Sequence, residues 1–399
     1  MEVLETLKTP VAYECDVLVA GGGFGGISAA LAAARNGKKV ILLEKLYMLG
    51  GLGTAGLITY YLPLCDGMGH QVSFGIAEEL LRLSISLGEE SRYPDIWFNS
   101  EDADKRTPKS KRYETQYNAQ LFAILAEKLL IENGVQILYG TYAVSVKSEN
   151  QKIKYVITEN KSGREAISVK TVVDATGDCD IAHFADAPTD TFKQGNLLAA
   201  WYYSIENDKY KINPLGACDI PDDQKNGKND VKKLADLRFT GVDGKELSDI
   251  NILSHTQVLN DVKRKQQGGS CMPVTIATTP QVRMSRKIVG EYILCDKEEH
   301  KYFEDSIGMV SDWRKRGPVY EVPFGTLYSS KVKNLITAGR CTSVTEAMWD
   351  IMRVIPCCAV TGEAAGTAAA LSDDFTKLDI KALQKRLVEQ GVVIHEKDL

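Results

Sequence analysis

Gly21, Gly23 and Gly26 form a GxGxxG spacing inside VLVAGGGFGGISAALAAARNGKKVILLE, residues 17–44. Glycine inside regular elements costs about 0.5–1 kcal/mol relative to alanine, so this spacing points to a need for bare backbone. Gly21 suits a tight turn. Gly23 lets main-chain N–H groups approach a diphosphate. Gly26 lets a helix close on a strand. Glu44 ends the next apolar run, where a carboxylate can accept bonds from two ribose hydroxyls and repel a 2′-phosphate; Lys45 follows it. This chemistry is that of an adenine dinucleotide site, and the motif alone does not say which dinucleotide. The competing reading is a glycine-rich turn before an ordinary helix.

The flanking runs supply the elements that such a site needs. CDVLVA reads as a buried parallel strand, ISAALAAARNG as a helix ended by Gly37, and KKVILLE as a second strand. A helix start behind the glycine turn offers unpaired N–H groups to an anion. GGLGTAGLITYYLP, residues 50–63, is too glycine-rich for helix and reads as a loop. The spacing predicts helices over 70–88 and 117–133, with His70 as a cap or solvent contact. The runs VQILYGTYAVSVKS, KIKYVITEN and AISVKTVVDATG read as a meander whose last strand feeds the main sheet. VVDATGD, residues 172–178, ends a strand in small residues and one acid, at the strand end where open α/β sheets bind ligands.

Residues 197 to about 327 change in character, with AAWYYSIEN and the polar insert PDDQKNGKND, and read as a second domain over the first. Arg283 and Arg286 stand three apart on a helical pattern: they either clamp a carboxylate together or pair on the surface. NLITAGRC is a further strand, and a long small-residue helix begins near Pro356, a residue suited to a first turn. IKALQKRLVEQGV is an amphipathic tail helix.

Bulk properties exclude several classes. The 399 residues carry a formal charge of −5, so nucleic acid is not an expected partner, and the basic stretches KSKR and DWRKRG read as solvated surface. MEVLETLKTP lacks the features of a secretory leader, and no membrane span is expected. Nine cysteines without a CxxC fit a reducing, cytoplasmic setting, and five scattered histidines give no metal site. Cys357 and Cys358 read as packing residues, because adjacent cysteines form strained disulfides.

The blocks DVLVAGGGFGGISAALAAARNGKKVILLE, GGLGTAGLITYYLP, VVDATGD and NLITAGRCTSVTEAMWDIMRVIPCCAVTGEAAGTAAAL together resemble a known family. It is the FAD-dependent oxidoreductases of the glutathione-reductase-like fold, related to fumarate reductase and succinate dehydrogenase flavoproteins. The resemblance implies an α/β chain whose Rossmann-type FAD-binding domain carries a three-stranded β-meander and an inserted substrate or cap domain. The implied segments are 11–190 (meander about 135–173) and 331–373 for FAD, 191–330 for the cap, and 374–399 for a C-terminal helix and tail.

It further implies non-covalent FAD, with Gly21, Gly23 and Gly26 at the pyrophosphate and Glu44 at the ribose. Gly50, Gly51, Thr54 and Ala55 would run past the flavin, Val144 would touch adenine, and Ala175, Thr176 and Gly177 would flank the AMP half. Gly339 and Arg340 would meet the ribityl region, and Thr361, Gly362 and Ala365 would lie on the helix aimed at the flavin. Arg283, Arg286 and Arg353 are the substrate candidates, with a carboxylate preferred. Tyr320, Glu321 and His255 are acid–base candidates by location. The expected activity is hydride or two-electron transfer with a small organic substrate and an unnamed electron partner. The rivals are a flavin-dependent monooxygenase and a non-catalytic dinucleotide-binding protein.

Overall fold

A computed structural model describes residues 3–87, 95–97, 100–216 and 234–399. The insert PDDQKNGKND, Cys218 and the end of the helix expected over 70–88 lie outside the described residues.

The glycine motif sits where the sequence places it. β1 (Val11–Ala20) leads through the turn into α1 (Phe24–Arg35), and the chain returns as β2 (Val40–Glu44), parallel to β1. After β3 (Tyr60–Tyr61), α2 (Ile76–Ile85) and β4 (Thr115–Gln116), helix α3 (Ala119–Glu132) crosses back to β5 (Gln136–Tyr139). β5 pairs parallel with β2. The run expected as the first meander strand therefore splits at Gly140, which has φ +56°. Its first half joins the parallel sheet, because the α3 crossover delivers it beside β2. Its second half, β6 (Tyr142–Glu149), opens the meander with β7 (Lys152–Asn160) and β8 (Gly163–Asp174).

β8 serves two layers. Its first half pairs antiparallel with β7, and its last residues pair parallel with β1 on one side and with β16 (Leu335–Thr337) on the other. The parallel order β5-β2-β1-β8-β16 brings the carboxyl ends of these strands to one edge.

Two helices start at that edge and run in the same direction. α7 (Ile355–Leu371) lies along α1 with Gly362 against the Gly25 carbonyl and Gly366 against the Ala29 carbonyl. A Cβ at these glycines would lie 2.2 and 2.1 Å from those oxygens, so only bare backbone permits the contact. Pro356 stands in the first turn of α7, and the short α6 (Glu346–Met352) precedes it.

After α4 (Asp180–Phe184) and β9 (Thr189–Thr191), a three-stranded sheet forms from β10 (Tyr202–Glu206), β11 (Lys209–Asn213) and β12 (Cys271–Ile276). It packs on α5 (Gly244–Gln266) through Tyr202, Val258, Val262 and Cys271. From Met284 onward the chain re-enters the main core. β13 (Arg286–Ile288) pairs with β9, while β14 (Ser306–Ser311) and β15 (Val319–Pro323) contribute Ile307, Val310, Tyr320 and Val322. The stretch expected as a helix around Arg283 and Arg286 is extended instead.

The cap is clamped to the 50–59 loop. Gln281 donates to the Gly56 carbonyl and accepts the Trp201 N–H at 2.9 Å; the Thr278 N–H donates to the Ala55 carbonyl at 2.9 Å, and Tyr203 bonds Thr59. The tail packs on the body through α8 (Ile380–Glu389), through Val392 and Ile394, and through His395, whose Nδ1 lies 3.0 Å from Glu321. No single described helix is long and apolar enough to cross a membrane. The α6–α7 pair passes by length and composition but is bent by 89°, and α7 is buried in protein from Pro356 to Ala370.

Candidate functional site

A cavity of about 500 Å³ opens where the strand ends, the starts of α1 and α7 and the cap meet. Gly21 has φ +104°, and a Cβ there would lie 2.3 Å from the Ala175 carbonyl. Gly26 is packed harder: its Cβ would lie 1.8 Å from the Gly21 carbonyl, so Gly26 closes helix on turn from behind and does not line the cavity. Gly23 is the opposite case. Nothing lies within 4 Å of a Cβ built there, although Gly23 lines the cavity at the start of α1. The fold has no internal reason to exclude a side chain at Gly23, so the open space over it fits a dinucleotide diphosphate.

Glu44 lines the cavity and is buried. It accepts the Gly22 N–H at 2.9 Å on one oxygen and the Leu46 N–H at 2.8 Å on the other. Burial pushes its carboxyl above the ordinary range, and the two N–H groups and Lys45 oppose that shift. Each oxygen keeps a lone pair for a sugar hydroxyl. Lys45 also lines the wall. Replacement by Gln keeps one acceptor oxygen, turns the other into an NH2 set against a backbone N–H, and removes the charge; we expect Glu44→Gln to weaken FAD binding about tenfold, read by calorimetry.

Ala175, Thr176 and Gly177 line the opposite wall. Their turn is built by Asp174, which accepts from the Thr176 N–H (3.1 Å), the Thr176 hydroxyl (2.7 Å) and the Ala182 N–H (2.9 Å). Burial pushes its carboxyl up to about 6 against those bonds. Val144 does not line the cavity: it sits at a bulge between Ala143 and Ser145, and Thr141, Tyr142 and Ala143 form the wall instead.

Gly50 and Gly51 line the cavity, but Thr54 and Ala55 stand behind them. Thr54 donates back to the Leu49 carbonyl, and the Ala55 carbonyl receives the cap. Gly339 and Arg340 line the wall. Arg340 donates to the carbonyls of Val282 (2.8 Å) and Arg283 (2.9 Å), tying the cap end to the sheet. The three residues expected on the flavin-facing helix act at one remove. Thr361 accepts the Gly339 N–H at 3.0 Å, Gly362 packs on Gly25, and Ala365 is core. Residues 354, 355 and 358, at the start of α7, are the ones that reach the cavity, where the positive end of the helix dipole favours negative charge.

The arginines separate. Arg283 and Arg353 line the cavity; Arg286 does not. Arg286 pairs with Asp180 at 2.6 Å and donates to the Asp178 carbonyl, because an extended chain turns residues three apart in different directions. Arg353 is held by the buried Asp350, and Arg283 stacks 5.1 Å from the Trp201 ring centroid. Tyr320 donates to the Asp296 carbonyl in the core, Glu321 holds the tail, and His255 is exposed on α5; none lines the cavity.

Cys358 lines it, but burial pushes its thiol up to about 12, and burial likewise raises Cys357, so both stay protonated at neutral pH. Sequence reasoning missed Tyr60, Leu62, Trp201 and Trp313 in the wall. The tryptophan inside the charged stretch DWRKRG was the available signal for the last of these.

Comparison with known proteins points to a family. The family model of the FAD dependent oxidoreductases matches residues 16–198 and 191–387. A thioredoxin reductase from Ureaplasma parvum serovar 3 is 24% identical over 140 residues, which is 35% of this chain and 41% of the relative. The match thus spans about two fifths of that relative's length. A geranylgeranyl bacteriochlorophyll reductase-like protein from Thermoplasma acidophilum superposes with a TM-score of 0.48 at 14% identity, covering 95% of this chain and 84% of its own. The p-nitrophenol 4-monooxygenase of Pseudomonas putida DLL-E4 also gives 0.48, at 12% identity, over 94% and 84%. With both of its halves matched by the family model, the chain belongs to the FAD dependent oxidoreductase family, and its cofactor is FAD.

Proposed function

We propose that this chain transfers a hydride or two electrons between non-covalently held FAD and a small organic anion. One observation carries the reading. The cavity that begins at the open Gly23 cradle continues, without a break, to a wall of Tyr60, Leu62, Trp201 and Trp313 with Arg283 and Arg353. A substrate there would stand beside the cofactor.

Bound FAD supplies the redox chemistry. The chain's own groups then have defined tasks. Gly23 keeps a side chain away from the diphosphate, Gly21 and Gly339 hold the left-handed turns beside it, and Glu44 receives the ribose. The start of α7 favours negative charge that develops near it. The carboxylates lining the cavity are already engaged: Glu44 by backbone N–H groups, Asp178 by Ser285, and Asp180 by Arg286. Lys45, Arg283, Arg340 and Arg353 put four cations in the wall against three carboxylates, and this excess supports an anionic substrate, although Asp350 already pairs with Arg353 and Asp178 lies 3.6 Å from Arg340. The Gln281 and Thr278 contacts hold the cap down and exclude water. A reducing, cytoplasmic setting remains part of the proposal, supported by the odd number of cysteines.

The test is anaerobic. The purified, FAD-loaded chain is mixed with a panel of organic acids and amines, and absorbance is followed at about 450 nm, the band of the oxidised flavin. Bleaching by acids and not by amines is the expected result. Bleaching by NADPH alone, with hydroxylated product once oxygen is admitted, would replace this reading with the monooxygenase.

A further inference from the structure

Trp313 and Arg353 are far apart in sequence, yet one buried residue fixes both. The Asp350 carbonyl accepts the Trp313 indole N–H at 3.0 Å. The Asp350 carboxylate accepts Arg353 Nε at 3.0 Å and also its Nη2. Both side chains line the cavity.

The anchor itself is charge-balanced. Arg314 lies between Asp312, at 3.0 Å, and Asp350, at 3.5 Å, so two acids and two arginines alternate, and both acids are fully buried. An alternating row of this kind fixes its members without leaving a net buried charge.

The cap also brings a tryptophan and an arginine to the cavity. The Trp201 indole N–H donates to the Gly216 carbonyl at 3.1 Å, the Arg283 guanidinium lies 5.1 Å from the ring centroid, and Tyr60 meets the ring edge-on at 6.2 Å. In both tryptophans the one polar atom is turned to the protein. The rest of each ring is apolar; the Trp201 ring is met by Arg283 and Tyr60, and Trp313 shares its Asp350 anchor with Arg353.

From this grouping we infer that the substrate is a planar ring bearing a carboxylate, its ring met by Trp313 and Trp201 and its acid group by Arg353 and Arg283. The inference rests on the oxidoreductase reading above and names the substrate class of that site. A small aliphatic acid would leave the indole faces uncovered. A neutral ring would bring no charge to the guanidinium groups. A carboxylated ring satisfies both kinds of group at once.

The test uses benzoate as probe, with acetate, benzamide and cyclohexanecarboxylate as comparators, titrated calorimetrically into the FAD-loaded chain. Benzoate is expected to bind at least about tenfold more tightly than each comparator. In Trp313→Leu, with FAD content unchanged, its advantage over acetate is expected to fall to about threefold or less. Equal binding of benzamide overturns the role of the arginines. Equal binding of acetate or cyclohexanecarboxylate overturns the planar ring, as does an unaltered preference in Trp313→Leu, which would mean that the indole serves only the cofactor. Calorimetry reads benzoate without relying on flavin colour. A colourless chain that binds benzoate would therefore count against the FAD reading alone, and a yellow chain indifferent to benzoate against this inference alone.

Discussion

Gly23→Val weakens FAD binding roughly 100-fold and leaves the folded chain intact, while Gly26→Ala damages the fold itself: this is the contrast expected from two glycines of one motif. At Gly23 an added Cβ meets nothing within 4 Å, so the protein has room where the side chain begins. The space it fills is the one assigned to the diphosphate. Loss of one or two charge-assisted backbone bonds costs about 3 kcal/mol, or roughly 100-fold in FAD affinity. At Gly26 the added Cβ lies 1.8 Å from the Gly21 carbonyl, and backbone cannot yield as a flexible side chain can. Overpacking of this kind is expected to cost about 2–4 kcal/mol of stability before any cofactor is added. Urea unfolding of the cofactor-free variants, together with FAD calorimetry, separates the two. Equal destabilisation by both substitutions would remove the distinction between cradle and packing glycine.

The second large effect concerns Glu363. Its Oε2 accepts the Ile76 N–H at 2.8 Å, so it holds the start of α2 from the buried face of α7. Burial pushes its carboxyl up from 4.5 to about 8; the Ile76 bond and Arg35 oppose this, and Glu79 adds to it. Between those two values the folded protein holds a proton that the unfolded chain releases. The contribution of this group to stability is therefore complete below about pH 4.5 and is lost as pH rises through about 8.

Glu363→Gln keeps a carbonyl for Ile76 and removes the titration. It is expected to leave stability near pH 4.5 almost unchanged and to raise it at pH 8.5 by an amount on the order of 3–5 kcal/mol. Denaturant midpoints of both proteins across that range provide the check. Parallel pH curves would show that the carboxyl does not titrate in this window.

Much of this was legible from local signals. The glycine spacing, the apolar strands around it and Glu44 are short-range features, and they place the turn, α1 and β2 directly. Pro356 and the run of small residues likewise mark α7. What was not legible depends on contacts between distant segments. Gly140 splits one β-rich run between two sheet layers, because β2 offers a parallel edge to its first half. The helical spacing of Arg283 and Arg286 gave way to an extended path, because β9 takes Arg286–Ile288 as a partner.

Thr361, Gly362 and Ala365 lie on the right helix. They sit one or two turns deeper than the residues that line the cavity, and Thr361 and Gly362 pack against Gly339 and α1. The end of the cap is a related case. The residues after Met284 look no different in composition from those before, and only their burial in the main core assigns them to the body.

The central claim is that a bare-backbone cradle and a buried acid hold the two ends of an adenine dinucleotide in the cavity. Its most direct test is a calorimetric titration of FAD into the wild-type chain stripped of cofactor. The account predicts saturation at one FAD per chain with a Kd of roughly micromolar or tighter, and no competition from NADP. A properly folded chain that takes up no FAD, or takes up NADP equally well, would contradict it.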